Sequence, residues 1–124
     1  MNNNKSNSLT RDLIFKKYNG HCAYCGVEIT RDTFHVDHIV PLKRHSYPPQ
    51  NVSALNKIEN YNPSCVLCNT SKNSFTVDEW RNELLNKMKI LNRGTKYTLL
   101  KRFGLVKEVI KPIVFYFEKI NSHG

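Results

Sequence analysis

Residues 20–41 read GHCAYCGVEITRDTFHVDHIVP, and residues 64–72 read SCVLCNTSK. Each stretch contains a Cys-x-x-Cys motif, and the first stretch ends in an Asp-His pair shortly before a proline. Thirty-nine residues separate Cys25 from Cys65, and the Asp-His pair lies within that interval. If the four cysteines bind one metal ion, the loop between them closes and the Asp-His pair is held in place.

The chain has four cysteines, and they form the pairs Cys22–Cys25 and Cys65–Cys68. Disulfides need an oxidising compartment, and no apolar signal segment directs the chain to one. A single Cys-x-x-Cys motif is weak evidence because redox motifs share it, but two motifs supply the four thiolates of a tetrahedral zinc site. Four protein ligands leave no position for water or substrate, so we predict a structural Zn²⁺.

Length and charge limit the classes of function. A chain of 124 residues suits one domain with a modest core. Nineteen Lys and Arg against ten Asp and Glu give a formal charge of +9, which favours polyanionic partners, although many small basic proteins are merely solvated by lysine. No apolar run approaches membrane-spanning length, so we expect no membrane partner.

The pattern predicts helices and short strands together. Polar residues 1–8 are expected to form a loose arm, residues 9–75 the functional core, and residues 76–124 a helical extension that packs on it. The predicted helices are Leu9–Tyr18, a long helix from the capping box Thr76–Glu79 to Gly94, and Tyr97–Phe103. The predicted strands are Thr33–Ile39 and Tyr61–Ser64, with a loop and a helical turn near Ala54–Ile58 between them, and the pattern of Ile113–Phe117 leans toward a strand.

Asp37 and His38 are adjacent at the end of a predicted strand. A lone histidine is more often structural, but Asn69 directly follows the last cysteine, and a zinc site would bring it toward Asp37. Oxygen atoms from Asp37 and Asn69 suit a hard cation such as Mg²⁺. Histidine can accept a proton from water near neutral pH. A cation, a histidine and a basic surface together indicate phosphodiester hydrolysis.

These residues also resemble a known family, the HNH endonucleases, over about residues 18–75. The matching elements are Cys22-x-x-Cys25, Val36-Asp37-His38-Ile39-Val40-Pro41, Glu59-Asn60 and Cys65-x-x-Cys68-Asn69-x-x-Lys72. The resemblance implies an α+β fold, the ββα-metal core, here held together by the four-cysteine zinc site and flanked by helices. It implies a metal-dependent DNA endonuclease that nicks or cuts duplex DNA. The part after Thr76 is similar to the tails of small phage- or mobile-element-associated members.

The resemblance also implies a role for each matching residue. His38 would be the general base, and Asp37 and Asn69 would bind the catalytic cation. Asn60 would hold the loop that aims His38. Asparagine at the position of the family's last histidine favours oxygen-ligated Mg²⁺ or Mn²⁺. His35, on the same strand, is the next candidate for the base.

Three basic residues, Lys72, Lys43 and Arg44, are expected to lie near the nucleic-acid backbone. DNA is the expected partner, and RNA stays open because phosphate contacts are alike in both polymers. The alternative function is a zinc-containing nucleic-acid-binding module without catalysis. A monomer would nick, whereas a double-strand break would need a homodimer or two events. We expect a cytoplasmic protein of bacterial or phage origin.

Overall fold

The structure is a computed structural model that describes residues 5–42 and 55–122, with side chains from Ser8 onward. Five helices are described, which we number α1 Lys5–Lys16, α2 Val66–Lys72, α3 Val77–Asn92, α4 Thr95–Arg102 and α5 Tyr116–Ser122. The strands are β1 His35–His38 and β2 Tyr61–Ser64, and a 3-10 turn at Ile58–Asn60 precedes β2. The predicted α+β class is confirmed, with β1, β2 and α2 in the order strand, strand, helix.

The chain forms two compact units, one of Met1–Val77 with Val114–Gly124 and one of Asp78–Ile113. In the first unit the buried apolar residues come from α1, the first cysteine turn, the entry to β1, helix α2 and the segment before α5. These residues are Ile14, Tyr18, Cys22, Ala23, Tyr24, Phe34, Cys68 and Phe115. No helix among the described residues has the length and apolar character needed to cross a bilayer.

Helix α1 ends in a tight turn with left-handed backbone. Asn19 and Gly20 have φ values of 54° and 75°, and the Gly20 N–H donates to the Phe15 carbonyl at 3.0 Å. This bond satisfies a carbonyl that the end of the helix leaves free. The helix begins at Lys5, four residues before the predicted start at Leu9, so part of the predicted arm is helical.

The two strands pair antiparallel, with His35 opposite Ser64 and His38 opposite Tyr61. Pro63, in the middle of β2, has no N–H to donate. Its carbonyl accepts a hydrogen bond from the Ala23 N–H at 2.8 Å. The first Cys-x-x-Cys turn is therefore joined to the sheet by its backbone as well as by its cysteines.

That first cysteine turn is closed by backbone hydrogen bonds. The Cys22 N–H donates to the Val27 carbonyl at 2.8 Å, and the Gly26 N–H donates to the Cys22 carbonyl at 3.0 Å. Gly26 has a φ of 81°, and a Cβ there would lie 2.9 Å from Cδ1 of Tyr116. Both the conformation and the space require glycine at this position.

The segment before and into α5 packs on the same turn. The Tyr116 N–H donates to the Tyr24 carbonyl at 3.0 Å, and the Phe117 N–H donates to the Ala23 carbonyl at 2.7 Å. The rings of Phe115 and Phe117 lie edge-on to Tyr24 at centroid distances of 5.6 and 5.7 Å. These aromatic residues form core contacts for the cysteine turn.

Two predictions of local structure need correction or fall outside the described residues. The predicted strand over Ile113–Phe117 was wrong, because helix α5 begins at Tyr116 and the residues before it are irregular. The predicted loop and helical turn between the strands lie partly in residues 43–54, which are outside the described residues.

The second unit contains α4 and all but the first residue of α3. Only Arg93 and Gly94 connect the two helices. Beyond α4, the Glu108 carboxylate accepts hydrogen bonds from Asn92 at 2.7 Å and from Lys101 at 3.5 Å. These bonds hold the chain after α4 against the end of α3.

Candidate active site

The four cysteines lie together, with all four Sγ atoms within 4.8 Å of one another. The Sγ atoms of Cys25 and Cys65 are 3.8 Å apart. A tetrahedron with Zn–S bonds of about 2.3 Å has edges of about 3.8 Å, so this spacing fits zinc. Cys22 and Cys68 are buried, whereas Cys25 is exposed. The donor set is that of a structural zinc site.

Backbone N–H groups turn toward the sulfur atoms. The Tyr24 N–H donates to Sγ of Cys22, and the Cys68 N–H donates to Sγ of Cys65, each at 3.4 Å. The hydrogen bond from the Cys68 side chain lowers the pKa of Cys22 to about 4. Burial raises the pKa of Cys25, and the hydrogen bond to Cys22 raises that of Cys68, so the thiolate is favoured at Cys22 and these two thiols would lose their protons on binding zinc.

Cys65 is also the N-cap of helix α2. Asn69 is consequently the fourth residue of that helix and does not act as its cap. Its backbone is used in the helix, with the Asn69 N–H donating to the Cys65 carbonyl at 3.0 Å. The amide side chain remains available for the cleft described next.

An open cleft of about 400 Å³ lies between the end of β1, the turn that follows it and helix α2. Its lining consists of Val36, Asp37, His38, Pro41, Leu42, Asn69, Asn73 and Ser74. Three of the four predicted catalytic residues thus share one cleft. Asn60, the fourth, does not line it.

Asp37 is buried, with 5% of its surface exposed. Its Oδ2 accepts hydrogen bonds from the Tyr24 hydroxyl and from the Lys72 ammonium, the latter at 3.1 Å. Burial raises the pKa of Asp37 above its usual range, and the Lys72 charge and the Tyr24 hydrogen bond act against that rise. Oδ1 has a longer contact with Lys72, at 3.4 Å, and is the less engaged oxygen. A carboxylate oxygen keeps lone pairs beyond one such contact, so Oδ1 is the atom that could bind a cation.

Lys72 lies in a different place from the predicted one. The side chain is completely buried, and its ammonium donates to the carbonyls of His38 at 2.9 Å and Ile39 at 3.3 Å as well as to Asp37. Three protein acceptors occupy its donors, so Lys72 does not face the nucleic-acid backbone. The other two predicted backbone contacts, Lys43 and Arg44, lie outside the described residues.

The His38 ring is held from two sides. Its Nε2 is 2.9 Å from Oδ1 of Asn56, and the Tyr61 ring lies edge-on at a centroid distance of 5.1 Å. Because an amide oxygen only accepts hydrogen bonds, Nε2 carries the hydrogen in this arrangement and Nδ1 carries the lone pair. Nδ1 is therefore the atom able to accept a proton.

Asn60 connects the chain after β1 to the chain before β2. Its amide oxygen accepts from the Val40 N–H at 2.9 Å, and its amide nitrogen donates to the carbonyls of Val40 at 3.0 Å and Leu55 at 2.9 Å. The Asn60 backbone carbonyl also accepts from the Ile39 N–H at 2.9 Å. These bonds fix the backbone that follows His38.

Three residues of the site were missed by sequence reasoning. Tyr24 lies between the first two cysteines, and its hydroxyl is the feature from which a role in the site could have been predicted. Asn56 lies in a polar stretch that gave no signal. Asn62, opposite Asp37 in the sheet, is buried and donates to the Tyr24 hydroxyl at 3.4 Å. Its Oδ1 has no partner among the described residues.

Residues 22–75 match the family model described as HNH endonuclease. These residues are an HNH endonuclease domain. The chain is also similar to the crystal structure of the Type II-C Cas9 enzyme from Actinomyces naeslundii, with a TM-score of 0.53 and 26% identity. That likeness covers 67% of this chain but only 8% of the Cas9 chain. The comparison with curated proteins found no significant match.

The matched family has a characteristic chemistry. HNH endonucleases are nucleases that use divalent metal ions and act on DNA, and the clustered cysteines of this HNH domain are consistent with structural zinc. The resemblance read from the motifs Cys22–Cys25 and Cys65–Asn69 is confirmed at the level of the family.

We expect purified protein to contain one zinc ion per chain, and Cys65→Ser to lose both the zinc and the fold. Structural zinc in small modules supplies folding free energy on the order of 10 kcal/mol. Elemental analysis and thermal denaturation measure the two effects. Val66→Ala, an exposed change at the next residue, is the control and should keep its zinc. Folded wild-type protein without zinc would contradict the assignment.

Lys72→Met separates a buried structural charge from a DNA contact. Removing the ammonium leaves the Asp37 carboxylate buried without its counter-charge, which destabilises proteins by about 3–5 kcal/mol. Denaturant unfolding should show this loss, whereas the exposed control Lys57→Met should change stability by less than about 0.5 kcal/mol. Unchanged stability together with weaker DNA binding would show instead that Lys72 contacts the nucleic-acid backbone.

Proposed function

We propose that this chain hydrolyses phosphodiester bonds in duplex DNA at the cleft lined by Asp37, His38 and Asn69. The observation that carries the proposal is their convergence: β1 supplies a carboxylate and an imidazole, and α2 supplies an amide to the same cleft. Carboxylate and amide oxygens are donors that Mg²⁺ and Mn²⁺ prefer. A metal ion bound there would supply charge stabilisation at the phosphate.

The residues around His38 give it the features of a general base. Nδ1 accepts a proton from the attacking water while the hydrogen bond to Asn56 holds the ring. The water oxygen bonds to phosphorus, the bond to the 3′ oxygen breaks, and that oxygen takes a proton from solvent. The products are a 5′-phosphate and a 3′-hydroxyl end.

Lys72 and Asn60 act through position. Lys72 donates to the His38 carbonyl, and the Asn60 side chain binds both the N–H and the carbonyl of Val40. The imidazole therefore extends from a residue whose backbone is fixed on its C-terminal side. A misplacement of a catalytic group by about 1 Å can cost a hundredfold in rate, so both residues should affect turnover more than DNA affinity.

The alternative of a non-catalytic binding module needs only the cysteines and the positive charge. It offers no reason for an oxygen-donor pair and an oriented histidine to share a cleft. The test is incubation of purified, zinc-loaded protein with supercoiled plasmid, in Mg²⁺, in Mn²⁺ and without either ion. Relaxed or linear products that need the metal support catalysis, and unchanged plasmid in every condition would support the binding module.

His38→Ala should lower the cleavage rate by about 10²–10⁴-fold, the contribution of a general base, with zinc content and DNA affinity close to wild type. The matched control is His35→Ala, since His35 is an exposed histidine on the same strand that does not line the cleft. Plasmid nicking under single-turnover conditions compares the two variants. Wild-type cleavage by His38→Ala with loss in His35→Ala would reverse the assignment.

Asn69→Ala tests the second oxygen donor. Water can replace the lost amide oxygen, so the Mg²⁺ concentration for half-maximal activity should rise while zinc content and melting temperature stay near wild type. The neighbouring exposed residue gives the control Thr70→Ala, which should behave as wild type. Full activity of Asn69→Ala at low Mg²⁺ would remove Asn69 from the ligand set.

A further inference from the structure

Positive charge is concentrated outside the HNH domain. The unit Asp78–Ile113 carries nine Lys and Arg against four Asp and Glu, a net charge of +5 in 36 residues. The rest of the chain carries ten against six, a net charge of +4 in 88 residues. The charge per residue of the smaller unit is about three times higher, which is the kind of asymmetry that marks a nucleic-acid contact.

The cations of this unit are accessible. Three of the unit's four acids, Asp78, Glu79 and Glu83, lie in its first six residues, and Asp78 is exposed; from residue 84 to 113 each exposed charged side chain is basic. The exposed cations are Lys87, Lys89, Arg93, Lys96, Arg102, Lys107 and Lys111. The acid of this interval, Glu108, is half-buried and hydrogen-bonded to Asn92 and Lys101. No acidic side chain in this interval is therefore free to neutralise the exposed cations.

Helix stability explains only part of the pattern. Lys89 and Arg93 lie near the carboxyl end of α3, where the helix dipole favours cations. As a like-charged pair four residues apart, however, they weaken the helix. Lys96 lies in the first turn of α4, where the dipole disfavours a cation, and that turn contains no acid. Helix stability therefore favours Lys89 and Arg93 by one effect, opposes them by another, and gives no reason for the cation at Lys96.

The HNH domain gives a second reason to expect phosphate contacts in the unit Asp78–Ile113. Lys72, the cation that the motif placed on DNA, is fully buried and occupied by protein acceptors. Beside the cleft, the charge of Asp37 is paired with that of Lys72, so these two groups together offer little net attraction for a polyanion. Phosphate contacts that hold the duplex have to come from other residues.

We propose that the unit Asp78–Ile113 binds the DNA phosphate backbone, with Lys89, Arg93 and Lys96 around the α3–α4 turn as principal contacts. The identity of the polyanion as DNA rests on the proposed function, whereas the surface itself follows from charge and exposure. Contacts to phosphate position a protein on DNA without reading its sequence. The unit therefore supplies affinity that is independent of sequence.

The test measures binding without catalysis. The full chain with His38→Ala, loaded with zinc, is titrated onto a short labelled DNA duplex without added Mg²⁺ or Mn²⁺ over a range of salt concentrations. Arg93→Gln/Lys96→Gln is compared with Lys16→Gln/Lys119→Gln, which removes two exposed cations from the other unit. The first pair should lower affinity about tenfold and make the slope of log K against log salt shallower by about 2, equally on unrelated sequences. The second pair should change neither.

Equal losses in the two double variants would overturn the proposal, because they would reflect net charge alone. The same titration is repeated with an RNA duplex. A loss of affinity seen with RNA and not with DNA would overturn DNA as the partner. Circular dichroism and zinc content confirm that each variant is folded. If chains that keep His38 fail to cleave plasmid, the proposed function fails, but the binding comparison still decides the present inference because it contains no active enzyme and no catalytic metal.

Discussion

The convergence of four thiols on one point is the constraint on which the site depends. It brings the turn after α1 to the start of α2 across an interval of 39 residues, and the residues next to the thiols then occupy fixed places. Tyr24, between two of the cysteines, reaches the Asp37 carboxylate. Asn69, directly after the last cysteine, reaches the cleft. A chain of this size has a limited apolar core. A site that needs fixed side chains therefore benefits from a four-cysteine metal site beside it.

A second constraint is the buried carboxylate. Burial of an ionised Asp37 is costly unless it is paired and hydrogen-bonded, and Lys72 and Tyr24 supply both. The pairing has a consequence for metal binding. The proposed ligands, Asp37 with its charge balanced by Lys72 and the neutral Asn69 amide, would attract a divalent cation weakly. Mg²⁺ sites of this kind usually include phosphate oxygens of the substrate, so cation and DNA should bind together.

Motif spacing predicted the parts of the fold and site that depend on local chemistry. The four cysteines and three residues that line the cleft, Asp37, His38 and Asn69, could be predicted because each is a distinctive residue type at a fixed distance from another, and the strand Tyr61–Ser64 was also predicted. The burial of Lys72 was not visible, since lysine is rarely buried and only the packing of α2 against β1 encloses it. The prediction of a strand at Ile113–Phe117 was wrong for a similar reason. Aromatic and β-branched residues favour strands only where a partner strand exists, and here their partners are the Tyr24 and Ala23 carbonyls of the cysteine turn.

Chemistry and affinity make different demands on charge, and the two units meet them separately. A general base has to take up a proton, so a cluster of cations around His38 would make it a weaker base, and it would also repel a divalent metal ion. Duplex binding needs several unpaired cations in contact with solvent. Close to His38, such cations would both weaken the base and repel the metal ion. In this chain the HNH domain keeps the charge of Lys72 inside its core and bound to Asp37. Among residues 84–113 every exposed charged side chain is basic, and the acid there, Glu108, is half-buried and hydrogen-bonded to Asn92 and Lys101. Separate units allow the phosphate-binding charge to increase without changing the electrostatics of the cleft.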